Sequence, residues 1–570
     1  MSGGDSTGPH THHSEVYAMG STTHNLSDYD RIMREFTWNV PEYYNFVLDD
    51  FEKWKDDKSK TALVTVSHDG ESASKLSFWE LSVLSNKFAN VLHSLGLRRG
   101  DRVFLMLPRG EEWYIAMLGM IKAGVVAMPT PSLVTGHDID YRINSADAVA
   151  ALTDEEGVEK VDAIAGKVPG LTHRIAVGPA REGWLSFGAL MEEAPRHFDP
   201  EIFGGKTRSS DPMLVYFTSG TTGNPKMVRH TQAYAIAHTV TAFYVQDLRP
   251  GDIIWVHADT GWAKTAYGKL FGQWIVGATV MQWKMGAKFE PALMPKIIEK
   301  FGVTVFCAPP TAYRMLIGHV DLSRYDWSEL RHSMSAGEPL NPEVIRAWKD
   351  STGNDILDYY GQTETVPLVA NYPAVPIREG SMGKPTPGHV VEIVDDDGNV
   401  LPPNEEGHIA VKVKPVNPPG IFTGYWKIEE QTSFSGDWYF TGDRAYRDED
   451  GYFWFVGRSD DLIKSSGYRI GPFEVESALQ EHPAVLESAV IGKPDELRGQ
   501  LVKAFIVLRP GYEPSAALVK ELQEHVTRVT APYKYPREIQ FVSELPKTIS
   551  GKVRRVELRK MEVDKMKAGV

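Results

Sequence analysis

The stretch TSGTTGNPKMV, residues 218–228, follows an apolar run at 214–217 that reads as a strand and precedes a helix-period segment over 231–245. Gly220 and Gly223 let the backbone turn tightly enough to aim its N–H groups at an anion. Thr218, Ser219, Thr221, Thr222 and Lys226 add hydroxyl donors and charge. Taken alone, a Gly/Ser/Thr cluster between periodic segments is equally an ordinary loop. The glycines stand three apart and a proline precedes the lysine, so the spacing departs from G-x-x-x-x-G-K-[ST] and a P-loop kinase or GTPase is disfavoured. A triphosphate-cradling loop is the sharper expectation.

Around this stretch, from about 75 to 330, helix-period segments such as 79–95 alternate with short apolar runs at 102–107, 125–128 and 303–308. That alternation predicts an α/β fold with largely parallel sheets. The aromatic positions of 40–54 fall at helical spacing. From about 388 to 456 period-two segments (390–394, 408–413, 452–456) predict a small antiparallel or barrel-like subdomain. Beyond Arg458 a helix is expected from Pro472 to about 480, then strands near 485–491 and 501–508, a helix near 515–529 and a strand near 538–542, together a separate α+β domain. The expected division is a leader over 1–25, a large N-terminal domain over 26–459 and a small C-terminal domain over 460–570.

The chain has 570 residues, a formal charge of −14 and one cysteine, Cys307. Acidic balance argues against nucleic-acid or membrane-surface partners. One cysteine excludes an internal disulfide and a Cys-rich zinc site. With neither an 18-residue apolar run nor a secretory signal, a cytoplasmic protein without integral membrane association is expected. The cluster His10, His12 and His13 is set aside as part of the leader. Residues 531–570 carry ten Lys plus Arg against five Asp plus Glu, either a solvated tail or a surface that closes on an anionic ligand.

Further motifs follow in order: SAGEPL (335–340), DYYGQTET (358–365), YFTGDRAYRDEDGYFWFVGRSDDLIKSSGYRIGP (439–472) and PKTISGKVRR (546–555). With residues 218–228, their order and spread resemble the adenylate-forming superfamily over about 40–560. VPEYYNF (40–46), SSGYRIGP (465–472) and TAPYKYP (530–536) are most similar to medium-chain acyl-CoA synthetases. The resemblance implies an ATP site built from residues 218–223, Lys226, Gly337, Glu338, Pro339, Asp358, Tyr359, Tyr360, Asp443, Arg458 and Arg469. Asp443 would hold the ribose hydroxyls with help from Arg458, and Arg469 would contact phosphate. Thr363 would supply a hydroxyl, Glu364 a hard oxygen ligand for Mg²⁺, and Lys552 the catalytic cation. Asp460 matches the hinge, Gly467 the passage of the pantetheine arm, and Tyr468, Arg498 and Lys534 the remaining CoA contacts. ATP, Mg²⁺ and CoA are the implied co-substrates and cofactor, with a small carboxylic acid as partner; monomer or homo-oligomer is left open.

The acid is expected to lie against Trp262, Lys264 and Gly361. Acetate-specific relatives carry tryptophan at position 361, so glycine there implies a chain longer than acetate, each buried methylene adding about 0.8 kcal/mol. Lys264 stands where medium-chain relatives are more apolar. It either faces solvent or a carboxylate, or points inward and favours a short branched, aromatic or hydroxylated acid. An aromatic acid, a non-CoA acceptor and a catalytically silent binding protein are the other readings. No carrier-like serine motif follows Lys552, so free CoA is the preferred acceptor.

Overall fold

Short four-residue apolar runs dictate the centre of the molecule. In a computed structural model, which describes residues 24–218, 225–286, 290–466, 468–495, 498–547 and 552–567, they become strands buried on both faces. A seven-stranded sheet runs in the order Leu185–Ser186, His173–Ala176, Ala150–Thr153, Arg102–Met106, Val126–Pro129, Pro212–Thr218, Lys226–Thr231, parallel except for the last pair. A nine-stranded sheet places Ile356–Tyr360, His332–Ala336, Val305–Ala308, Ile253–Val256, Thr279–Trp283 and Thr61–Val66 in parallel at its centre, with antiparallel strands at both edges.

Period-two alternation divides each strand between cores. Val103, Leu105, Ile254, Val256, Val305 and Cys307 enter one core shared by both sheets, with the helices Phe78–Ser94, Glu111–Ala123 and Phe271–Val276 between them. Trp255 and Phe306 face a second core outside the nine-stranded sheet, and Phe104 and Met106 a third outside the seven-stranded one. Ser77 and Glu80 open the first helix as a reciprocal capping box, and Gly124 closes the second at φ +70°.

Antiparallel strands Val391–Val394, Gly407–Lys412, Phe434–Ser435, Trp438–Arg447 and Phe453–Arg458 form the expected β-rich subdomain. After it, Ile463–Ser465, Tyr468–Ile470, Val485–Asp495, Gly499–Leu508 and Glu538–Phe541 make a five-stranded sheet with the helices Pro472–Gln480 and Ala516–Val529. Three local expectations need correction. Residues 40–54 contain only the short helical turns Phe46–Asp49 and Phe51–Trp54, because Asn45 caps the first within one turn of its end. The basic tail holds a helix, Arg555–Lys567, tied down where the Lys503 ammonium donates to buried Glu562 at 2.7 Å. His24 and Asn25, assigned to the leader, bind Asp247, and Asn25 also binds the Phe243 and Leu248 carbonyls.

The two large sheets meet at the carboxyl ends of Arg102–Met106 and Ile253–Val256, where open α/β sheets bind ligands. Thr260 Oγ1 donates to the Leu107 carbonyl at 2.6 Å. A Cβ on Gly261 would stand 1.9 Å from Pro131 N and 2.2 Å from Thr130 C, so only glycine lets these backbones touch. Gly261→Ala is therefore expected to destabilise the protein by roughly 1–3 kcal/mol or more; an unchanged urea midpoint would contradict the close approach.

Candidate active site

The described residues on either side of the phosphate-loop stretch pair as antiparallel strands, which corrects the expectation that a helix follows the loop directly. Thr218 pairs with Lys226 across it, and residues 226–231 form a strand before the helix Ala233–Val240 begins. The π-turn Thr241–Val245 then extends that helix. The short apolar pair Met227–Val228 suits a strand as well as a helix face. Ser219, Gly220, Thr221, Thr222 and Gly223 lie outside the described residues. Lys226 Nζ sits 4.6 Å above the Tyr425 ring, and the Tyr425 hydroxyl donates to Glu364 Oε1 at 2.8 Å.

Glu364 is buried, which pushes its carboxyl above the ordinary range, while the Tyr425 hydroxyl pulls it back. The neighbouring Thr363 carbonyl accepts from His230 Nε2 at 2.7 Å. Burial holds His230 down to about 4, so the ring is neutral at pH 7 and the hydrogen must sit on Nε2. His230 stacks on Tyr234 at 3.7 Å. Neither Tyr425 nor His230 carries a motif signal, and sequence reasoning passed over both.

Asp443, on the long strand Trp438–Arg447, is 5% exposed and receives two donors on one oxygen: the Tyr360 hydroxyl at 2.6 Å and Gln362 Nε2 at 2.6 Å. Gln362 was passed over although it lies inside DYYGQTET. Its amide is oriented by the Tyr439 hydroxyl, which donates to Oε1 at 3.0 Å, and by its own Nε2 donation to the Thr441 carbonyl. Arg458 Nε stands 3.6 Å from Asp443 Oδ1 and 3.4 Å from Asp460 Oδ1, linking the carboxylate to the expected hinge. Burial raises the Asp443 carboxyl; Arg458, the two donors and the charge of Lys552 oppose it.

Lys264 points inward. Its ammonium donates to the Ala336 carbonyl and stands 3.1 Å from where a Cβ on Gly337 would lie, φ there being +96°. Burial lowers its pKa, and the charges it feels include Glu338, Asp358 and Lys552. The charge of Lys552 is felt by both Lys264 and Asp443, so it lies within electrostatic reach of each. Glu338 accepts from Thr311 Oγ1 at 3.1 Å and lies 3.6 Å from Arg314, directly before Pro339. Asp358 is buried and its carboxyl is raised for that reason, with Lys264 opposing. Tyr359 is packed in the shared core, its hydroxyl 3.5 Å from Cys307 Sγ.

Trp262, half-buried, belongs to the turn that brings Lys264 in, its N–H donating to the Asp259 carbonyl at 3.3 Å. At Gly361 a Cβ would meet the Val366 carbonyl at 2.7 Å and Pro367 Cα at 3.1 Å. Glycine is thus required there by backbone approach.

The CoA candidates gather in the C-terminal part. Tyr468 stacks on Tyr533 at 4.2 Å, Lys534 pairs with Glu474 at 2.8 Å, and the Arg498 carbonyl accepts from Ser466 N at 3.0 Å. Gly467, between Ser466 and Tyr468, lies outside the described residues, and Arg469 is described only as part of its strand, opposite Lys464. Gln362→Ala removes one of the two donors to Asp443 Oδ2 and is expected to raise KM for ATP about fivefold to tenfold, the worth of one hydrogen bond to a charged group. An unchanged KM for ATP would show that Asp443 does not meet the nucleotide.

Residues 51–426 match the AMP-binding enzyme family and residues 474–552 the AMP-binding enzyme C-terminal domain. The human mitochondrial acyl-coenzyme A synthetase ACSM3 is 45% identical over 555 residues, covering 95% of this chain and 94% of that protein. A solved structure of the anthranilate CoA ligase AuaEII in complex with anthranoyl-AMP superposes with a TM-score of 0.85 at 34% identity, covering 93% of this chain and 99% of that one. ATP-bound MatB from Rhodopseudomonas palustris superposes with a TM-score of 0.80 at 27% identity over 91% and 99%. With family matches that span both the two-sheet body and the C-terminal sheet, and with the buried Asp443 and Glu364 standing where its motifs converge, this chain belongs to the AMP-binding enzyme family.

Proposed function

We propose that the chain is an ATP-dependent, AMP-forming acyl-CoA synthetase. The family match over both parts of the chain carries this reading, and it is supported by Lys552 lying within electrostatic reach of Asp443 and Lys264, residues from distant parts of the sequence. A free carboxylate is a poor acceptor for a thiol because oxide would have to leave. Attack of the carboxylate on the ATP α-phosphorus gives an acyl-adenylate and pyrophosphate; the CoA thiol then attacks the acyl carbon and AMP departs.

In this reading Asp443 and Arg458 seat the ribose, and residues 218–223 with Lys226 face the leaving phosphates. Lys552 stabilises the charge that develops between carboxylate and α-phosphate. Among the described residues no three potential metal ligands cluster, which suits Mg²⁺ held by the Glu364 carboxylate and completed by triphosphate oxygens. Mg²⁺ bound there would spread the triphosphate charge. Gly467, Tyr468, Arg498 and Lys534 would receive CoA, Lys534 by exchanging Glu474 for a phosphate. A pivot at Asp460, between residues 26–459 and 460–570, would present Lys552 and then the CoA residues in turn.

The acid is a medium-chain or short branched one, longer than acetate, a reading that rests on the resemblance to medium-chain acyl-CoA synthetases, since the Val366 carbonyl already accounts for glycine at 361. A second reading, an aromatic or hydroxylated acid, is favoured by the inward Lys264 ammonium beside the Ala336 carbonyl. No described helix is long and apolar enough to cross a membrane. A cytoplasmic location is proposed on the sequence grounds alone, the ACSM3 relatives being named mitochondrial.

Two outcomes follow. Lys552→Ala should slow acyl-adenylate formation about 10²–10³-fold while sparing thioester formation from supplied acyl-adenylate; equal loss of both would remove its assigned role. Pyrophosphate release should be strongest with linear or branched acids longer than acetate in a panel from acetate to dodecanoate that also contains benzoate and hydroxy acids. A preference for acetate would overturn the chain-length reading, and silence with every acid would favour a binding protein.

A further inference from the structure

The loop that carries Trp262 has an unusual anchor. The carbonyl of Ala258 accepts from two basic side chains, Arg109 Nε at 3.2 Å and Lys269 Nζ at 2.7 Å. Arg109 follows the strand Arg102–Met106 of the seven-stranded sheet, whereas Lys269 ends the helix Lys264–Lys269 beside the nine-stranded sheet. Among the described residues neither forms an ion pair. The carboxylate whose charge both feel, Asp259, is turned to Gly261 N at 3.0 Å.

The helix between Trp262 and this anchor cannot hold itself in place. It has six residues and no side-chain cap, too short to be stable alone. Its position depends on ties at both ends: Lys264 to the Ala336 carbonyl, Thr265 Oγ1 to the Asp259 carbonyl at 2.8 Å, and Lys269 to the Ala258 carbonyl. Gly268 presses it onto the strand below, where a Cβ would stand 2.4 Å from Val256 Cγ2.

We infer that Arg109 and Lys269 are positioning residues for the acid site, a two-donor clamp on the Ala258 carbonyl that fixes where Trp262 and Lys264 stand against the substrate. Lys269 works there as a donor that loses its charge near neutral pH. It is 1% exposed. Burial first, and the Arg109 charge second, push its amine down to about 7. The groups facing it are Arg109, Asp259 and His257, the last kept neutral by burial and by Arg109, Lys269 and Lys264. Above that pH the clamp is one cation and one neutral amine. Below it a second full charge arises beside Arg109, and the two donors repel across one carbonyl.

The test is KM for the acid and for ATP over roughly pH 6 to 9 in the parent, Lys269→Gln, Lys269→Met and Trp262→Ala. The parent should show KM for the acid rising several-fold as the pH falls below about 7, with KM for ATP flat. Lys269→Gln, a neutral donor, should keep the parent value at high pH and lose the rise. Lys269→Met should raise KM for the acid about tenfold at every pH, the equivalent of one lost tie, with KM for ATP within about twofold. A flat parent profile, a rise retained in Lys269→Gln, or parent constants in Lys269→Met would each overturn the clamp. If Lys269→Met does not fold, the parent and Lys269→Gln profiles decide. The inference rests on the proposed acid site. Trp262→Ala moving KM for the acid while neither change at 269 does so would leave that site standing and remove the clamp; no effect from any of them would remove both.

Discussion

Asp443 is a carboxylate that the fold has withdrawn from water, and much of the site follows from how that burial is offset. An unpaired charge in this position would cost several kcal/mol. The chain answers with Tyr360 and Gln362 from the end of the nine-stranded sheet, and with Arg458 from the neighbouring antiparallel strand. Those partners tie the β-rich subdomain to the body and aim the carboxylate at the place where Lys552 exerts its charge. Arg458 also faces Asp460, so the same guanidinium connects Asp443 to the proposed pivot. On the far side of that proposed pivot Asp461 pairs with Arg559 at 2.6 Å, and Arg555 with Glu476 at 2.7 Å, which fixes the segment after Lys552 to the turn at Asp461 and the helix Pro472–Gln480. Adjacent carboxylates therefore face opposite ways across the joint.

The second constraint is the contact between the two large sheets. Their shared core brings the carboxyl ends of Arg102–Met106 and Ile253–Val256 together, and the loop 257–262 is pressed between them with backbone touching backbone at Gly261. The side chains proposed to meet the acid, Trp262 and Lys264, are thereby carried by a short loop and a six-residue helix whose positions are set by the sheets, not by local propensity. Substrate choice can vary by substitution in that loop while the nucleotide side, built on strand ends and Asp443, stays unchanged.

Much of this was legible in the sequence because periodicity reports burial directly. Alternation of apolar strands with helices gave the α/β body, Pro472 marked a helix at its first residue, and the runs near 485 and 501 became paired strands. Motif order pointed to Asp443, Glu364 and Lys552. What stayed hidden depends on contacts across sequence distance. Residues 226–231 form a strand because Pro212–Thr218 offers an edge to pair with. The basic tail becomes a helix because Lys503 and Glu562 meet in space. Tyr425 and His230 matter through single hydrogen bonds to Glu364 and Thr363, and Gly361 through the carbonyl of Val366; none of these relations leaves a local pattern.

The central claim is that one site first joins the acid to the α-phosphate of ATP and only then admits CoA. Acid-dependent exchange of labelled pyrophosphate into ATP, run without CoA, measures the first step in isolation. Exchange should require the acid and proceed fully in the absence of CoA, with AMP as the nucleotide product once CoA is added. Exchange that requires CoA, or turnover that yields ADP and phosphate, would contradict it.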